Sequence, residues 1–250
     1  MDSRADIPCL TWNVHRAVDR AGRLVPQRIL DALVTCLASD KPRILALQEA
    51  DGDDPPHPAL LEPAELAEAT GLRSVHDGDD MRWSPEGGGF LGNVLLLDPE
   101  IEIRARRIVD LPGAVPRAAV LAETQLDGIP LRIVSCHLSL LQALRVAQLR
   151  TLGQVIARAP RMQTILLGDL NEWRPWGGLA LSRRVTGLTL RGPARRTFPA
   201  HAPLLPLDRI LTDLGGWVEA VRPIVTPDLR QLSDHLPLFG RVRRGVGAER

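Results

Sequence analysis

Polar residues with catalytic potential stand at the ends of apolar stretches in this 250-residue chain. In QTILLGDLNEW (163–173), an apolar run stops at a glycine, and Asp169 and Asn171 follow. Because side chains alternate between the faces of a β-strand, a strand continuing to residue 171 would direct both side chains to one side. Such a pair is typical of a turn at a strand end and also of a catalytic group, and this segment alone leaves both interpretations open.

Five further apolar segments begin or end with the same kind of residue. Carboxylate and amide oxygens are hard ligands that suit Mg²⁺ or Mn²⁺ better than zinc, and the histidines among them suit proton transfer or hydrogen bonding to phosphoryl oxygens. Six such ends in one chain favour metal-assisted hydrolysis of a phosphate ester over six unrelated turns. Beyond Asp169 and Asn171, the residues are Asn13, Glu49, His137, Asp208, Asp234 and His235.

Five motifs in a fixed order connect these residues to a known family. TWNVH, LQEAD, SCHLS, LLGDLNEW and LSDHLPL, spread over about residues 7–243, resemble the motifs of the endonuclease/exonuclease/phosphatase superfamily, the DNase I-like metal-dependent phosphoesterases. The resemblance implies an α/β fold: a four-layer α/β/β/α sandwich of two mixed, mostly antiparallel sheets. It also implies an active site at one end of the sheets.

The resemblance implies a metal site and a substrate contact. Glu49 would be the principal ligand of Mg²⁺, with Mn²⁺ as an alternative, and Asn13 and Asp234 would lie beside the metal. Arg117, in PRAAVLAE, resembles an arginine that many members carry before a central strand, and it is a candidate for substrate binding. The alternative for Arg117 is an ordinary surface arginine at the start of a strand.

The resemblance also implies the catalytic groups. Asp169 would orient or deprotonate the attacking water, and Asn171 would steady the phosphoryl group. His235 would pair with Asp208 and contact the phosphate, and His137 would be a second donor.

The pattern of apolar residues predicts the elements that must position these groups. Helical spacing is found at 27–38 and 141–158, and a short helical piece is predicted near 177–184. Successive hairpin-like strands favour two packed, mostly antiparallel sheets over a doubly wound parallel sheet. The predicted strands cover 7–12, 43–48, 93–97, 102–109, 118–126, 129–138, 163–169, 207–212, 217–225 and 235–243.

Composition limits the class of protein further. The chain is 44% hydrophobic with a formal charge of +1, and its apolar runs fall short of the roughly 20 residues of a membrane span. We expect a cytoplasmic monomer with one domain over 1–250, a core at about 7–243 and a frayed tail at 244–250. The pattern GxGxxG at 87–92 precedes a strand instead of a helix, which argues against a dinucleotide site.

The sequence leaves the substrate open among a nucleic acid, a phospholipid head group and a sugar phosphate. The arginine run at 183–196 could hold a DNA backbone or form a solvated loop. Nucleases of the family commonly carry a site tyrosine, and this chain has none, which argues against abasic-site repair. The alternative to an enzyme is a catalytically idle family member that acts as a binding scaffold.

Overall fold

The computed structural model describes residues 6–245, which form two packed β-sheets with helices outside. The strands are β1 (Asp6–Asn13), β2 (Ile44–Gln48), β3 (Arg73–Ser74), β4 (Val94–Leu97), β5 (Glu102–Leu111), β6 (Arg117–Leu126), β7 (Ile129–His137), β8 (Gln163–Asp169), β9 (Asp208–Thr212), β10 (Trp217–Pro223) and β11 (Leu238–Arg243). The α-helices are α1 (Pro26–Asp40), α2 (Pro63–Thr70), α3 (Gln142–Ala157), α4 (Arg183–Thr186) and α5 (Leu229–Leu232).

Both sheets are mixed. The six-stranded sheet has the order β10-β11-β1-β2-β4-β3, and the five-stranded sheet has the order β5-β6-β7-β8-β9. Strand β1 runs parallel to β2, and β7 runs parallel to β8, while the other neighbouring strands are antiparallel. The predicted α/β sandwich of two mixed, mostly antiparallel sheets is therefore confirmed.

Three apolar layers hold the sandwich together. Residues from both sheets, among them Cys9 of β1 and Leu167 of β8, fill the space between the sheets. Helix α1 covers the outer face of the first sheet with Ile29 and Leu33, which are four residues apart and so share one helix face. Helix α3 covers the outer face of the second sheet in the same way. Burial on both faces explains why β2 and β8 read as continuous apolar runs.

Two helices of the structure differ from the prediction. Helix α2 was not predicted, because a single residue of its eight, Leu66, is buried and the helical period is weak. The predicted helical piece near 177–184 is wrong: the helix is α4, and the chain before it turns at Gly177 and Gly178, whose φ angles are +82° and +52°. Such left-handed backbone does not continue an α-helix.

Within residues 6–245, no helix is long and apolar enough to cross a membrane. The predicted frayed tail falls largely on 246–250, which lie outside the described residues. Before that point the chain is packed, since Arg244 pairs with Asp127 at 3.1 Å and the Gly245 N–H donates to Gln163 Oε1 at 3.0 Å.

Candidate active site

The topology of the two sheets brings the polar strand ends to one edge of the sandwich. The parallel pairs β1/β2 and β7/β8 end there, and β9 and β11 begin there because they run antiparallel to their neighbours. In the second sheet, His137, Asp169 and Asp208 stand side by side in register on three adjacent strands. Asn13 and Glu49 reach the same place from the first sheet, and His235 reaches it just before β11.

Asn13 links the carboxylates of the two sheets. Its Nδ2 atom donates to Glu49 Oε1 at 3.2 Å and to Asp169 Oδ2 at 3.1 Å. Its Oδ1 atom accepts from the backbone N–H of His15 at 3.0 Å, which fixes the orientation of the amide. Asn13 thus presents donors to the two carboxylates, whereas a metal ligand would present its oxygen.

A tight backbone contact holds Glu49 in place. Glu49 follows β2 with a φ angle of +54°, and Gly92 lies against its backbone. A Cβ atom on Gly92 would lie 3.1 Å from Glu49 Cα, so this position needs glycine. Buried Asp51 accepts from the N–H groups of Gly88 and Gly92 at 3.1 Å each. Gly92, the last glycine of the GxGxxG pattern, therefore serves close packing against Glu49.

His235 is held by an acid at its ring and by two side chains at its backbone. Its Nδ1 atom lies 2.8 Å from Asp208 Oδ2, which also accepts from Thr197 Oγ1. The His235 N–H donates to Ser233 Oγ at 3.0 Å, and Trp12 Nε1 donates to the His235 carbonyl at 2.9 Å. With Nδ1 committed to Asp208, the Nε2 atom is the one that faces the site.

Burial and charge shift the pKa values of three groups in different directions. Burial lowers the pKa of His235, but the charges of Asp208 and Asp169 outweigh it and raise the pKa to about 10. Burial, assisted by Arg117, lowers the pKa of His137 well below its usual value. Burial raises the pKa of Asp169 to about 6, although the charge of His235 acts against this shift. At neutral pH the site therefore combines one imidazolium with one neutral imidazole.

Both histidines and Arg117 face the central carboxylates. His137 Nε2 lies 3.4 Å from Asp169 Oδ2 and 3.9 Å from Glu49 Oε1, and His235 Nε2 lies 3.7 Å from the same Asp169 oxygen. Arg117, the first residue of β6, is partly buried and lines one cleft with Glu49 and His137. The charges of Glu49 and Asp169 act on the Arg117 guanidinium, although burial lowers its pKa overall.

Asn171 reaches the site by a different route from the one predicted. Strand β8 ends at Asp169, and Asn171 has a φ angle of +51°, so strand alternation does not place its side chain. Instead, Asp169 Oδ1 accepts from the Asn171 N–H at 2.9 Å, and Asn171 Nδ2 donates to the Leu138 carbonyl at 2.9 Å. The argument from alternation was therefore wrong, although the two residues do contact each other.

Asp234 lies at the edge of this group. Its carboxylate lines a neighbouring depression together with His15 and Arg230, whereas Glu49 lines the cleft that contains Arg117. The Oδ1 atom of Asp234 is buried and has no hydrogen-bond partner. An unpaired buried carboxylate oxygen is costly unless a cation or a water satisfies it.

Arg16 was missed by sequence reasoning. Its Nη1 atom lies 3.1 Å from Glu49 Oε2, and its Nη2 atom lies 2.8 Å from Asp53 Oδ1. The backbone at Arg16 has a φ angle of +51°, which no sequence pattern indicates. An arginine three residues beyond Asn13 could have been noted, but most arginines of that kind lie in solvent.

Arg145 and Glu172 form a buried ion pair beneath the site. Arg145 Nε lies 3.7 Å from Glu172 Oε2, and both side chains are almost fully buried. Arg145 Nη1 donates to the Ser139 carbonyl at 3.0 Å, and Gln148 Oε1 accepts from the Ser139 N–H at 2.9 Å. Arg145 and Gln148 thus fix the loop that follows His137.

The donor set fits a hard cation. Asp169, Asp208 and His235 each offer one ligand atom, and these atoms lie within 4.8 Å of one another. Asp208 Oδ2, however, already accepts two hydrogen bonds, from Thr197 and from His235. Glu49 is the carboxylate of the site that is open to the cleft, with its side chain 17% exposed. Oxygen ligands of this kind suit Mg²⁺ or Mn²⁺.

The fold and this set of strand-end residues define a class of protein. The chain belongs to the Endonuclease/Exonuclease/phosphatase family, whose sequence model matches residues 10–235. Members of the family are phosphoester hydrolases, nucleases and phosphatases, and they generally depend on divalent metal ions. The family predicted from the five motifs is confirmed.

Particular relatives cover nearly the whole chain. The uncharacterized protein YbhP of Escherichia coli K12 is 29% identical in an alignment of 253 residues. The alignment covers 93% of this chain and 94% of YbhP. A D. rerio TDP2 complexed with single-strand DNA product has a TM-score of 0.67 at 18% identity and covers 97% of this chain and 100% of that one. A Bacteroides thetaiotaomicron mannosyl-6-phosphatase has a TM-score of 0.69 at 14% identity, and the match covers 95% of this chain and 100% of that one.

Proposed function

We propose that this chain is a divalent-metal-dependent phosphoesterase that hydrolyses a phosphodiester or a phosphomonoester by attack of water. The observation that supports it best is the position of Asp169. One of its oxygens lies within 3.1–3.7 Å of Asn13, His137 and His235, which arrive from three separate strand ends. A polar residue that only serves a turn at its own strand end does not need the other two beside it, whereas a catalytic centre needs all three around Asp169.

Asp169 is proposed to orient or deprotonate the attacking water. Hydrogen bonds from the Asn171 N–H and from Asn13 fix both of its oxygens. Burial raises the pKa of Asp169 and so makes its carboxylate a stronger base than an exposed aspartate. A general base with a pKa near the working pH is the efficient case.

His235, His137 and Arg117 are proposed to contact the phosphoryl oxygens. Asp208 keeps His235 protonated, so that its Nε2–H can donate a charge-assisted hydrogen bond. Donors that are fixed before the reaction stabilise the charge that develops in the transition state. Asn171 is proposed as a further positioning residue, because it ties Asp169 to the loop after β7.

Glu49 is proposed to hold the divalent cation, with Asp234 as an additional oxygen ligand. When bound, the cation would supply Lewis-acid stabilisation of the phosphoryl oxygens. Asn13 is proposed to keep the Glu49 and Asp169 carboxylates at a fixed separation rather than to ligate the metal. Mg²⁺ is the expected ion, and Mn²⁺ is the alternative.

The experiment is a metal titration on a panel of single- and double-stranded DNA, RNA, phospholipid and sugar phosphates. We expect Mg²⁺-dependent release of product from at least one substrate and loss of turnover in a chelator. No metal-dependent turnover on any substrate, together with no Mg²⁺ binding, would refute the proposal. Binding of a partner that persists in chelator without hydrolysis would instead support the idle scaffold.

A further inference from the structure

Exposed apolar side chains lie on four loops at the end of the sandwich that carries the candidate active site. The loops are 112–116, 138–141, 171–182 and 199–206. Val115 lines the cleft with Glu49. The exposed large apolar residues of these loops, which we call the apolar rim, are Val115, Leu140, Leu141, Trp173, Trp176, Leu179, Leu204 and Leu205.

A buried arginine holds two of these loops rigidly together. Arg209 donates through Nη2 to the carbonyls of Glu172 at 3.1 Å and Arg174 at 2.6 Å, and through Nη1 to that of Pro175 at 3.3 Å. Its Nε atom donates to the Pro206 carbonyl at 2.9 Å. The loop that carries the two exposed tryptophans is therefore a fixed surface, and a preformed surface loses less conformational entropy on binding.

Arg174 joins this surface to the loop after β7. Its guanidinium lies 4.6 Å from the centre of the Trp173 ring and pairs with buried Glu172 at 3.1 Å. It also donates to Gln142, the first residue of α3. Leu140, two residues earlier, is 75% exposed. Apolar side chains of several loops thus stand in solvent beside one another, which is unusual unless a partner covers them.

The sequence from residue 173 to residue 207 is cationic. Between Glu172 and Asp208 the chain contains no acidic residue over 173–207. The same stretch contains six arginines. A cationic segment that also exposes tryptophan and leucine complements an anionic surface with an apolar interior. The arginines are Arg174, Arg183, Arg184, Arg191, Arg195 and Arg196; Glu172 neutralises Arg174, and Arg191 lies at the far end of β9, where its backbone pairs with Thr212.

We propose that the apolar rim docks on the surface of an anionic phospholipid bilayer, so that the active site faces lipid phosphate esters. Tryptophan favours the interface of a bilayer, and leucine and valine favour the acyl region beneath it. A single-stranded nucleic acid would instead need aromatic faces for its bases, and six of the eight rim residues are aliphatic. Hydrolysis of lipid rests on the proposed function, whereas docking does not require turnover.

The test is sedimentation of the full chain with vesicles of phosphatidylcholine containing about one third phosphatidylserine. The rim variant is Leu140→Ser/Trp176→Ser, which changes side chains that are 75% and 77% exposed and so spares the core. We expect binding that weakens with salt, and an at least ~10-fold lower partition coefficient in the rim variant, since each change removes apolar surface. The matched control, Val34→Ser/Trp217→Ser, changes exposed apolar residues of α1 and β10 and should bind normally.

Tryptophan quenching by brominated lipid gives an independent measure and should be lost in the rim variant. No vesicle binding by the unchanged chain, or equal binding by the rim variant, would overturn the proposal. Binding of a single-stranded oligonucleotide or self-association that is lost in the rim variant, without vesicle binding, would also overturn it. Metal-dependent turnover of the substrate panel and Mg²⁺ binding are measured alongside: vesicle binding with neither of them would contradict the proposed function and leave docking supported.

Discussion

His137 and His235 lie within 4 Å of the same oxygen of Asp169, yet their surroundings favour opposite protonation states. His235 has Asp208 at 2.8 Å, whereas His137 has the cationic Arg117 among its neighbours. At His235 the charged partner outweighs burial and raises the pKa, whereas at His137 burial dominates and lowers the pKa. We expect His235 to act as a donor to phosphate throughout the neutral pH range.

Asp208→Asn tests this assignment. The neutral amide removes the charge that keeps His235 protonated, so the pKa of His235 should fall. Activity that needs the His235 imidazolium is present below the pKa of His235 and is lost above it. The alkaline limb of the pH–activity profile should therefore move from about pH 10 to lower pH in the variant. We expect kcat/KM at pH 8 to fall at least ~100-fold.

The measurement is kcat/KM as a function of pH on a soluble phosphodiester. His201→Gln, which changes an exposed histidine, is the control and should keep the profile of the unchanged chain. An alkaline limb that stays in place in Asp208→Asn would contradict the role of the Asp208–His235 pair.

At the scale of elements, the loop 87–92 decides where Glu49 lies. Gly92→Ala would place a Cβ atom 3.1 Å from Glu49 Cα at a φ angle of +75°. We expect a loss of about 1 kcal/mol in the free energy of unfolding from the backbone strain. We also expect an at least ~10-fold loss of turnover, because Glu49 must shift. Thermal unfolding and metal-dependent turnover measure the two effects.

Gly71→Ala separates strain from displacement of Glu49. Gly71 has a φ angle of +66° at the end of α2, and a Cβ atom there would contact nothing within 4 Å. The Gly71→Ala variant should lose about as much stability as Gly92→Ala and should keep the turnover of the unchanged chain. Equal turnover in the two variants would show that the contact with Glu49 does not position the metal site.

Strand ends were predictable from the sequence because buried strands read as apolar runs that stop at a polar residue. Asp169 and His137 were placed in this way, and adjacent parallel strands then bring them together. The path of irregular backbone was not predictable: Arg16 was missed, and Asn171 was expected at the site but reaches it through a positive φ angle that only the surrounding structure imposes. The exposed rim loops lay outside any periodic pattern for the same reason.

At the scale of the whole molecule, His76 links the stability of the first sheet to pH. Its Nδ1 lies 2.7 Å from the Met81 carbonyl, and its Nε2 accepts from the Leu95 N–H at 3.0 Å, so the folded state requires the neutral ring. Burial lowers the pKa of His76 to about 4. As the pH falls, His76 binds a proton in the unfolded chain before it does so in the folded chain. The stability that neutral His76 contributes is therefore complete above about pH 6.5 and is lost as the pH falls toward 4.

Chemical unfolding at pH 7 and pH 5 checks this prediction. We expect His76 to account for about 2 kcal/mol of lost stability between the two values. His76→Gln should be less stable at pH 7 but should lose less on acidification, and His201→Gln should behave like the unchanged chain. The same acid sensitivity in His76→Gln would show that other groups cause it.

The central claim is that Asp169 activates water at a metal-dependent site formed by both sheets. It is tested most directly by turnover of the best panel substrate with Mg²⁺ and with chelator, for the unchanged chain and for Asp169→Asn. The account predicts turnover with Mg²⁺, none in chelator, and an at least ~100-fold lower rate in Asp169→Asn with Mg²⁺ binding retained. Turnover that survives the chelator, or an Asp169→Asn variant as fast as the unchanged chain, would contradict it.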